Sequence, residues 1–198
     1  MKNIRLLLVL SSMALTGCAS SNLIDFDDLS TTTSPVVAVG QSFKVGDVVT
    51  HTETGIKIMV LPFYWANNQP APDGFVEVVQ DGKSGGTGNE IHFDNASLGV
   101  ISPASKTINK LRLKFGEYGG NVNLRVNEDL YNYQDFDKIP PQLGPVKLSV
   151  TFTSYPQGIL TLTGPMEEFP IDGYPNVKFL AVVGGGQELW IDDLEFWE

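Results

Sequence analysis

The feature of this sequence that most restricts its fold is an alternation of apolar and polar side chains with a period of two. The pattern is clearest at residues 145–153 and recurs at residues 107–115 and 121–127. Successive side chains of a strand point to opposite faces, so this period predicts strands with one buried face. In the segment 145–153 the apolar residues are Val146, Leu148, Val150 and Phe152.

Turn dipeptides such as Asp73-Gly74 and Asp172-Gly173 separate further short apolar segments. We predict additional strands at residues 23–26, 47–52, 55–62, 75–80, 89–94, 98–102, 158–163, 176–183 and 187–197. No segment of ten or more residues has a persuasive helical period, and no internal repeat of fixed length is visible. The sequence therefore predicts an all-β fold, a two-sheet antiparallel sandwich.

The first eighteen residues have the order of an export signal. Lys2 and Arg5 precede a short apolar stretch, and small residues follow it. This stretch is shorter than the roughly 20 residues needed to span a bilayer, so we interpret it as a transient signal. The tetrad Leu15-Thr16-Gly17-Cys18 resembles the bacterial lipobox, which implies cleavage before Cys18 and lipid on its sulfur. An ordinary secretory signal with a chance cysteine is the alternative.

The lipobox resemblance predicts three parts in the chain. Residues 1–17 are the signal peptide, residues 18–22 a lipidated tether, and residues 23–198 the β-sandwich domain. Several acyl chains, at about 0.8 kcal/mol per buried methylene, would hold the protein on a membrane. In the family that the lipobox resembles, a residue other than aspartate after the cysteine usually implies the outer membrane, and Ala19 stands there.

The charge balance excludes one class of partner. The chain has 13 Lys and Arg against 23 Asp and Glu, a net charge of -10, and removal of Lys2 and Arg5 with the signal makes it -12. Nucleic acids are held by basic residues that displace counterions, so we expect no nucleic-acid partner. Cys18 is the single cysteine, so disulfides contribute nothing to stability.

Two terminal segments carry a second resemblance. Residues 24–29 read Ile-Asp-Phe-Asp-Asp-Leu, and residues 186–194 read Gly-Gln-Glu-Leu-Trp-Ile-Asp-Asp-Leu. They resemble the two ends of a galactose-binding-like jelly roll, the fold of many carbohydrate-binding modules, and the similarity covers residues 23–197. It implies a jelly-roll sandwich whose first and last strands lie close together. The chain lacks the motif that forms the sugar-binding platform in that family. The resemblance therefore supports the fold more strongly than it supports sugar binding.

The same resemblance implies a structural calcium at the joined ends. Calcium takes six to eight oxygen ligands, and acidic residues are concentrated in both terminal segments. The predicted ligands are Asp25, Asp27, Asp28, Asp192 and Asp193. Adjacent acids on a strand point to opposite faces, so Asp27 and Asp193 are the first choices. The alternative is that these acids are solvated surface residues.

Alternation also predicts a ligand-binding face, provided that the segments 107–115, 121–127 and 145–153 lie in one sheet. Their outward polar side chains would then adjoin, and two aromatic loops could add rings that stack on a sugar. The predicted ligand-binding residues are Arg112, Asn121, Asn123, Arg125, Asn127, Lys147, Tyr64, Trp65, Tyr131 and Tyr133. Alternatively, the aromatic residues cap the sandwich and the basic residues pair with neighbouring acids.

Catalytic motifs are scarce. His51 and His92 are not in a metal-ligand spacing, and no Gly-x-Ser-x-Gly elbow is present. The favoured function is a lipid-anchored envelope module, not an enzyme, that binds a glycan or polysaccharide. An accessory lipoprotein that docks another envelope protein is the alternative, and a carbohydrate-active hydrolase or lyase is the least favoured.

Overall fold

A computed structural model describes residues 22–31, 37–101 and 107–197, so the predicted signal peptide and Cys18 lie outside the described residues. Within those ranges are seventeen strands and one short 3-10 turn, Phe136–Lys138. The strands are β1 (Asn22–Ile24), β2 (Leu29–Ser30), β3 (Ser42–Lys44), β4 (Val48–His51), β5 (Lys57–Pro62), β6 (Phe75–Val79), β7 (Glu90–Asp94), β8 (Ala96–Ile101), β9 (Ile108–Gly119), β10 (Val122–Val126), β11 (Asp129–Tyr133), β12 (Gln142–Leu143), β13 (Val146–Ser154), β14 (Gln157–Met166), β15 (Phe169–Ile171), β16 (Tyr174–Gly185) and β17 (Glu188–Trp197). The described part of the chain contains no helix long and apolar enough to cross a membrane.

The strands form two antiparallel sheets. Sheet 1 has the order β12-β13-β14-β9-β17-β7-β6-β3, with β1 paired to β17. Sheet 2 has the order β11-β10-β16-β8-β5-β4-β2, with β15 paired to β16. The predicted all-β, two-sheet antiparallel sandwich is therefore confirmed.

The main hydrophobic core lies between the inner faces of the two sheets. Leu113 and Phe115 of β9, Leu124 of β10 and Leu160 of β14 are all buried in it. Each comes from a segment in which apolar residues recur at every second position, so the period of two sends one side of each strand inward. Burial of this apolar surface is the main stabilising term of the fold.

The first and last strands pair with each other. Leu23 lies opposite Glu195, and Ile24, which is fully buried, lies opposite Leu194. The chain therefore enters the sandwich beside the end of its last strand.

One buried carboxyl group closes an end of the sandwich. Glu117 of β9 is buried, and its Oε1 accepts a hydrogen bond from the Phe136 N–H at 2.8 Å, while its Oε2 has no partner in the described structure. Burial raises the pKa of Glu117 to about 8, against the opposing effect of that hydrogen bond and with a smaller contribution from Asp135.

This pKa predicts a pH-dependent loss of stability. Because the folded-state pKa lies above the ordinary value, the stability is full in acid and falls as the pH rises towards and through 8. We expect Glu117→Gln, which keeps an acceptor for the Phe136 N–H, to unfold at the same denaturant concentration as the parent at pH 5. At pH 9 the variant should be more stable, by a few kcal/mol at about 1.4 kcal/mol per pKa unit.

Denaturant titrations across this pH range measure the effect. Glu188→Gln, which changes an exposed glutamate at the start of β17, is the matched control. Parallel pH profiles for the parent and Glu117→Gln would contradict the prediction.

Candidate functional site

The candidate site lies on the outer face of sheet 2, where β10 contributes two polar side chains. Val122, Leu124 and Val126 of β10 face the main core, so Asn123 and Arg125 point outward. Both are nevertheless buried, with exposed fractions of 1% and 9%. Other segments of the chain must therefore cover this face.

A second hydrophobic cluster provides part of that cover. It joins Leu61 and Tyr64, at the end of β5 and in the loop after it, to Phe169 and Ile171 of β15 and to residues of β16. Gly99 of β8 makes the close packing possible, because a Cβ there would collide with the Phe179 ring and with Leu61. The loop at residues 63–70 and the hairpin of β15 and β16 consequently lie against the sheet.

A network of amides fixes the loop beside Arg125. The Asn132 Nδ2 donates to the Tyr64 carbonyl and to the Asn123 Oδ1, both at 2.8 Å. The Asn121 Nδ2 donates to the Asn132 Oδ1 at 2.9 Å. These bonds join β10, β11 and the loop, so the covering segment is positioned by polar as well as apolar contacts.

Arg125 lies at the base of a polar pocket of about 490 Å³. Its Nη2 donates to the Asn68 Oδ1 at 3.1 Å, and its guanidinium carbon lies 5.3 Å from the centre of the Tyr64 ring. Its other N–H groups have no hydrogen-bond partner among the described residues, and Arg125 forms no ion pair there. Burial lowers the pKa of Arg125, although a guanidinium keeps its charge at neutral pH.

Two tight turns place acidic side chains around the pocket. Asn127 and Glu128, both with positive φ, form the two-residue turn between β10 and β11, and Asp129 follows them. Asp172 lies in the two-residue turn between β15 and β16. Glu128, Asp129 and Asp172 line the pocket, and all three are exposed. The Arg125 pocket, as we call it, can thus donate hydrogen bonds at its base and accept them at its rim.

The structure separates the residues of the predicted ligand face. The condition on which that face depended, that segments 107–115, 121–127 and 145–153 lie in one sheet, is not met, because β9 and β13 belong to sheet 1 whereas β10 belongs to sheet 2. Arg112 and Lys147 therefore lie away from the pocket, and the Arg112 Nη1 binds the Glu195 Oε1 at 3.0 Å. Alternation assigns a residue to a face but does not say which strands are neighbours.

The predicted aromatic residues also lie in different parts of the molecule. Tyr131 and Tyr133 pack against the main core, whereas Tyr64 lies beside Arg125. Trp65 meets the Phe63 ring edge-on at 5.0 Å and is 42% exposed.

Of the ten predicted ligand-binding residues, Arg125 lines the pocket. Tyr64 lies beside it, and Asn121 and Asn123 support the neighbouring loop through Asn132. Asn127 contacts the end of β14 and the residues after it, since its Nδ2 donates to the Pro165 carbonyl. The other polar residues of the pocket were not predicted, because they lie in loops, in turns or at the first position of a strand, where no periodic pattern marks them: Asn68, Glu128, Asp129 and Asp172.

Two of the predicted calcium ligands have carboxylates that contact other side chains. The Asp25 Oδ1 lies 3.3 Å from the His51 Nε2, and Asp193 forms an ion pair with Lys114. Asp28 is held by a backbone bond, from the Thr52 N–H to its carbonyl. Across the described ranges, no three His, Cys, Asp or Glu side chains converge as metal ligands. The five predicted acids therefore do not form one site.

Asp27 and Asp192 both lie against the glycine-rich loop between β6 and β7, where the Asp27 Oδ1 accepts the Asn89 N–H at 2.7 Å. There is no room for a Cβ at Gly86 beside the Asp192 Oδ2, or at Gly88 beside the Asp27 carboxylate. Asp192 is buried, its Oδ2 has no hydrogen-bond partner in the described structure, and burial raises its pKa to about 7. Carboxylate and backbone oxygens are calcium ligands, so calcium stays a prediction here, resting on Asp27 and Asp192.

Thermal melting tests the calcium prediction. A cation that binds only the folded state raises the melting temperature, so millimolar calcium should stabilise the protein by several degrees relative to a chelator. Asp192→Asn should abolish that difference. Asp25→Asn is the matched control and should retain it, because Asp25 contacts His51 instead. Equal melting of the parent protein in calcium and in chelator would remove the site.

Comparisons with known proteins add no relative to this picture: no family model, no curated protein and no solved structure matches the chain.

Proposed function

We propose that this chain is a lipid-anchored protein of the bacterial envelope, and that its sandwich binds a glycan in the Arg125 pocket. The observation that supports glycan binding is the buried Arg125 guanidinium, whose unpartnered N–H groups lie in a pocket rimmed by carboxylates. The anchor is the lipid that the resemblance to the lipobox implies on Cys18.

The chemistry of the pocket suits sugar hydroxyls. Each hydroxyl both donates and accepts hydrogen bonds, so it can accept from Arg125 and donate to a rim carboxylate at the same time. Bonds to charged groups are about twice as strong as neutral ones. The volume of about 490 Å³ falls within the roughly 300–1,000 Å³ range of small-molecule sites.

The pocket is formed before any ligand arrives. Asn132 bonds the Tyr64 carbonyl, and Asn68 in the same loop bonds Arg125, so the wall and the base of the pocket hold each other in place. A preformed site loses less conformational entropy on binding. Trp65, which is partly exposed in this loop, offers a ring face to a neighbouring sugar unit.

Docking of another envelope protein is the second candidate. A mainly apolar groove of about 740 Å³ runs beside the edge strand β3 and is lined by Val45, Pro62, Pro70, Ala71 and Phe75. Exposed apolar surface of this kind is typical of protein contacts. A protein that binds no glycan at all would favour this second candidate.

A glycan array tests the first candidate. We expect the parent protein to bind at least one glycan, and Arg125→Ala to lower that affinity about tenfold or more, because a hydrogen bond to a charged group contributes about 1.5–3 kcal/mol. Arg112→Ala is the matched control, since Arg112 lies on the other sheet, and it should bind as the parent does.

Thermal melting of the Arg125→Ala and Arg112→Ala variants shows whether both remain folded. Arg125→Lys adds a second comparison that keeps the charge but loses the planar donor set. Unchanged binding by the folded Arg125→Ala variant would contradict the proposed site.

The anchor has its own test. In bacterial cells the parent protein should incorporate labelled fatty acid and sediment with the membranes, whereas Cys18→Ser should do neither, since the thiol that would carry the lipid is gone. Ser12→Cys combined with Cys18→Ser keeps the cysteine count and controls for its position. A Cys18→Ser protein that is still labelled would rule out lipidation at Cys18.

A further inference from the structure

We infer that the Arg125 pocket selects a sugar unit that carries a free, protonated amine, that is, an amino sugar without its acetyl group. This inference rests on the proposed glycan-binding function and names the class of ligand. Three observations carry it: the charges that line the pocket, the burial of its one cation, and the lack of ion pairs among its acids.

The pocket has more acidic than basic groups. Arg125 is its one cation in the described structure, whereas Glu128, Asp129 and Asp172 are carboxylates. None of the three acids forms an ion pair with a described residue. Arg125 and Asp172 attract each other, and Tyr131 is hydrogen-bonded with Asp129, yet one guanidinium does not balance three carboxylates. The pocket keeps an excess of negative charge, which a cationic group on a ligand would complement.

The positions of the charges decide how a ligand would lie. Arg125 is buried at the base and held by Asn68, whereas the carboxylates are exposed on two separate turns at the rim. Hydroxyl oxygens would accept from Arg125 at the base, while an ammonium group would contact the carboxylates at the rim. A sugar unit that carries both kinds of group adds ionic contacts at the rim to the hydrogen bonds that hydroxyls alone can form with both halves of the pocket.

An acidic sugar fits less well. Its carboxylate would bond Arg125, but it would also lie among three like charges on a chain of net charge -10. Exposed ionic contacts contribute up to about 1 kcal/mol each, so repulsion by the three carboxylates opposes the bond between Arg125 and a ligand carboxylate with a comparable energy. A neutral sugar would gain the hydrogen bonds but not the ionic contacts.

Three tetrasaccharides that differ in one substituent test the inference. The β-1,4-linked tetramers of glucosamine, N-acetylglucosamine and glucose share a backbone and differ at C2 of each ring. Calorimetric titration of the full chain in detergent, at pH 6 and low salt, should give at least a tenfold tighter dissociation constant for the glucosamine tetramer than for the other two. That advantage should shrink at about 0.5 M salt, because exposed charges are screened.

Variants test whether the three rim acids cause the preference for the glucosamine tetramer. Replacing all three acids, by Glu128→Gln with Asp129→Asn and Asp172→Asn, should bring the ratio of the glucosamine to the glucose affinity close to one. Glu53→Gln is the matched control, since it removes an exposed acid in the turn between β4 and β5, and it should leave the ratio as in the parent. Arg125→Ala should weaken binding of every tetramer that the parent binds.

The possible outcomes separate this inference from the proposed function. Equal affinities for the three tetramers, tighter binding of the acetylated or glucose tetramer, or a ratio unaffected by the triple variant would overturn the amine selectivity and leave glycan binding intact. If none of the tetramers binds but the array shows binding to a glycan that has no free amine, the amine selectivity is overturned as well. No binding to any glycan would overturn the proposed function, and this inference with it.

Discussion

The position of the Arg125 pocket depends on one constraint: the central strands of sheet 2 are buried on both faces. β8 and β10 have almost no exposed residue, and the second half of β16 is buried throughout. A strand with apolar residues on both sides needs a layer on each, because exposed apolar surface costs about 25 cal/mol per Å². Sheet 1 covers the inner face, and a loop and a hairpin cover the outer face.

Polar side chains buried beneath the loop and the hairpin must form hydrogen bonds with other protein groups there. The Asn132 amide serves both the Asn123 side chain and the loop backbone, because an unpaired buried polar group costs about 1–3 kcal/mol. Arg125 lies where the cover ends, so one of its N–H groups bonds Asn68 and the others have no protein partner. The same arrangement that completes the fold thus leaves a buried cation accessible to a ligand.

The sequence predicted the strands better than it predicted their neighbours. Period two at residues 121–127 identified which side chains of β10 point inward, but the pairing of β10 with β16 joins segments that lie far apart in the sequence. The pocket residues outside the strands, such as Asn68 and Asp172, carry no periodic signal. The sequence therefore identified Arg125 and the polar residues that support its loop, but not the residues that form the rim of the pocket.

The acidic end of the chain shows where strict alternation fails to describe a strand. Strict alternation on β17 places Asp193 and Asp192 on opposite faces, which made Asp193 a first choice for calcium. Asp193 has a φ of 48°, and the pairing of β17 with β9 shifts its register between Asp192 and Glu195. Such an irregularity re-aims side chains locally, so Asp193 meets Lys114 while Asp192 stays buried under the glycine-rich loop.

The pairing of the first and last strands links the proposed anchor to the proposed site. β1 begins opposite Phe196, at the end of β17 that is far from the turn joining β16 to β17. Arg125 pairs with Val182, only three residues before β16 ends at that turn. The rim lies the other way along these strands, because β10 runs from Val122, opposite Gly185, towards the turn that carries Glu128. A lipid on Cys18 would hold the end of the sandwich at β1 to the membrane, so the Arg125 guanidinium would lie further from the bilayer than that turn.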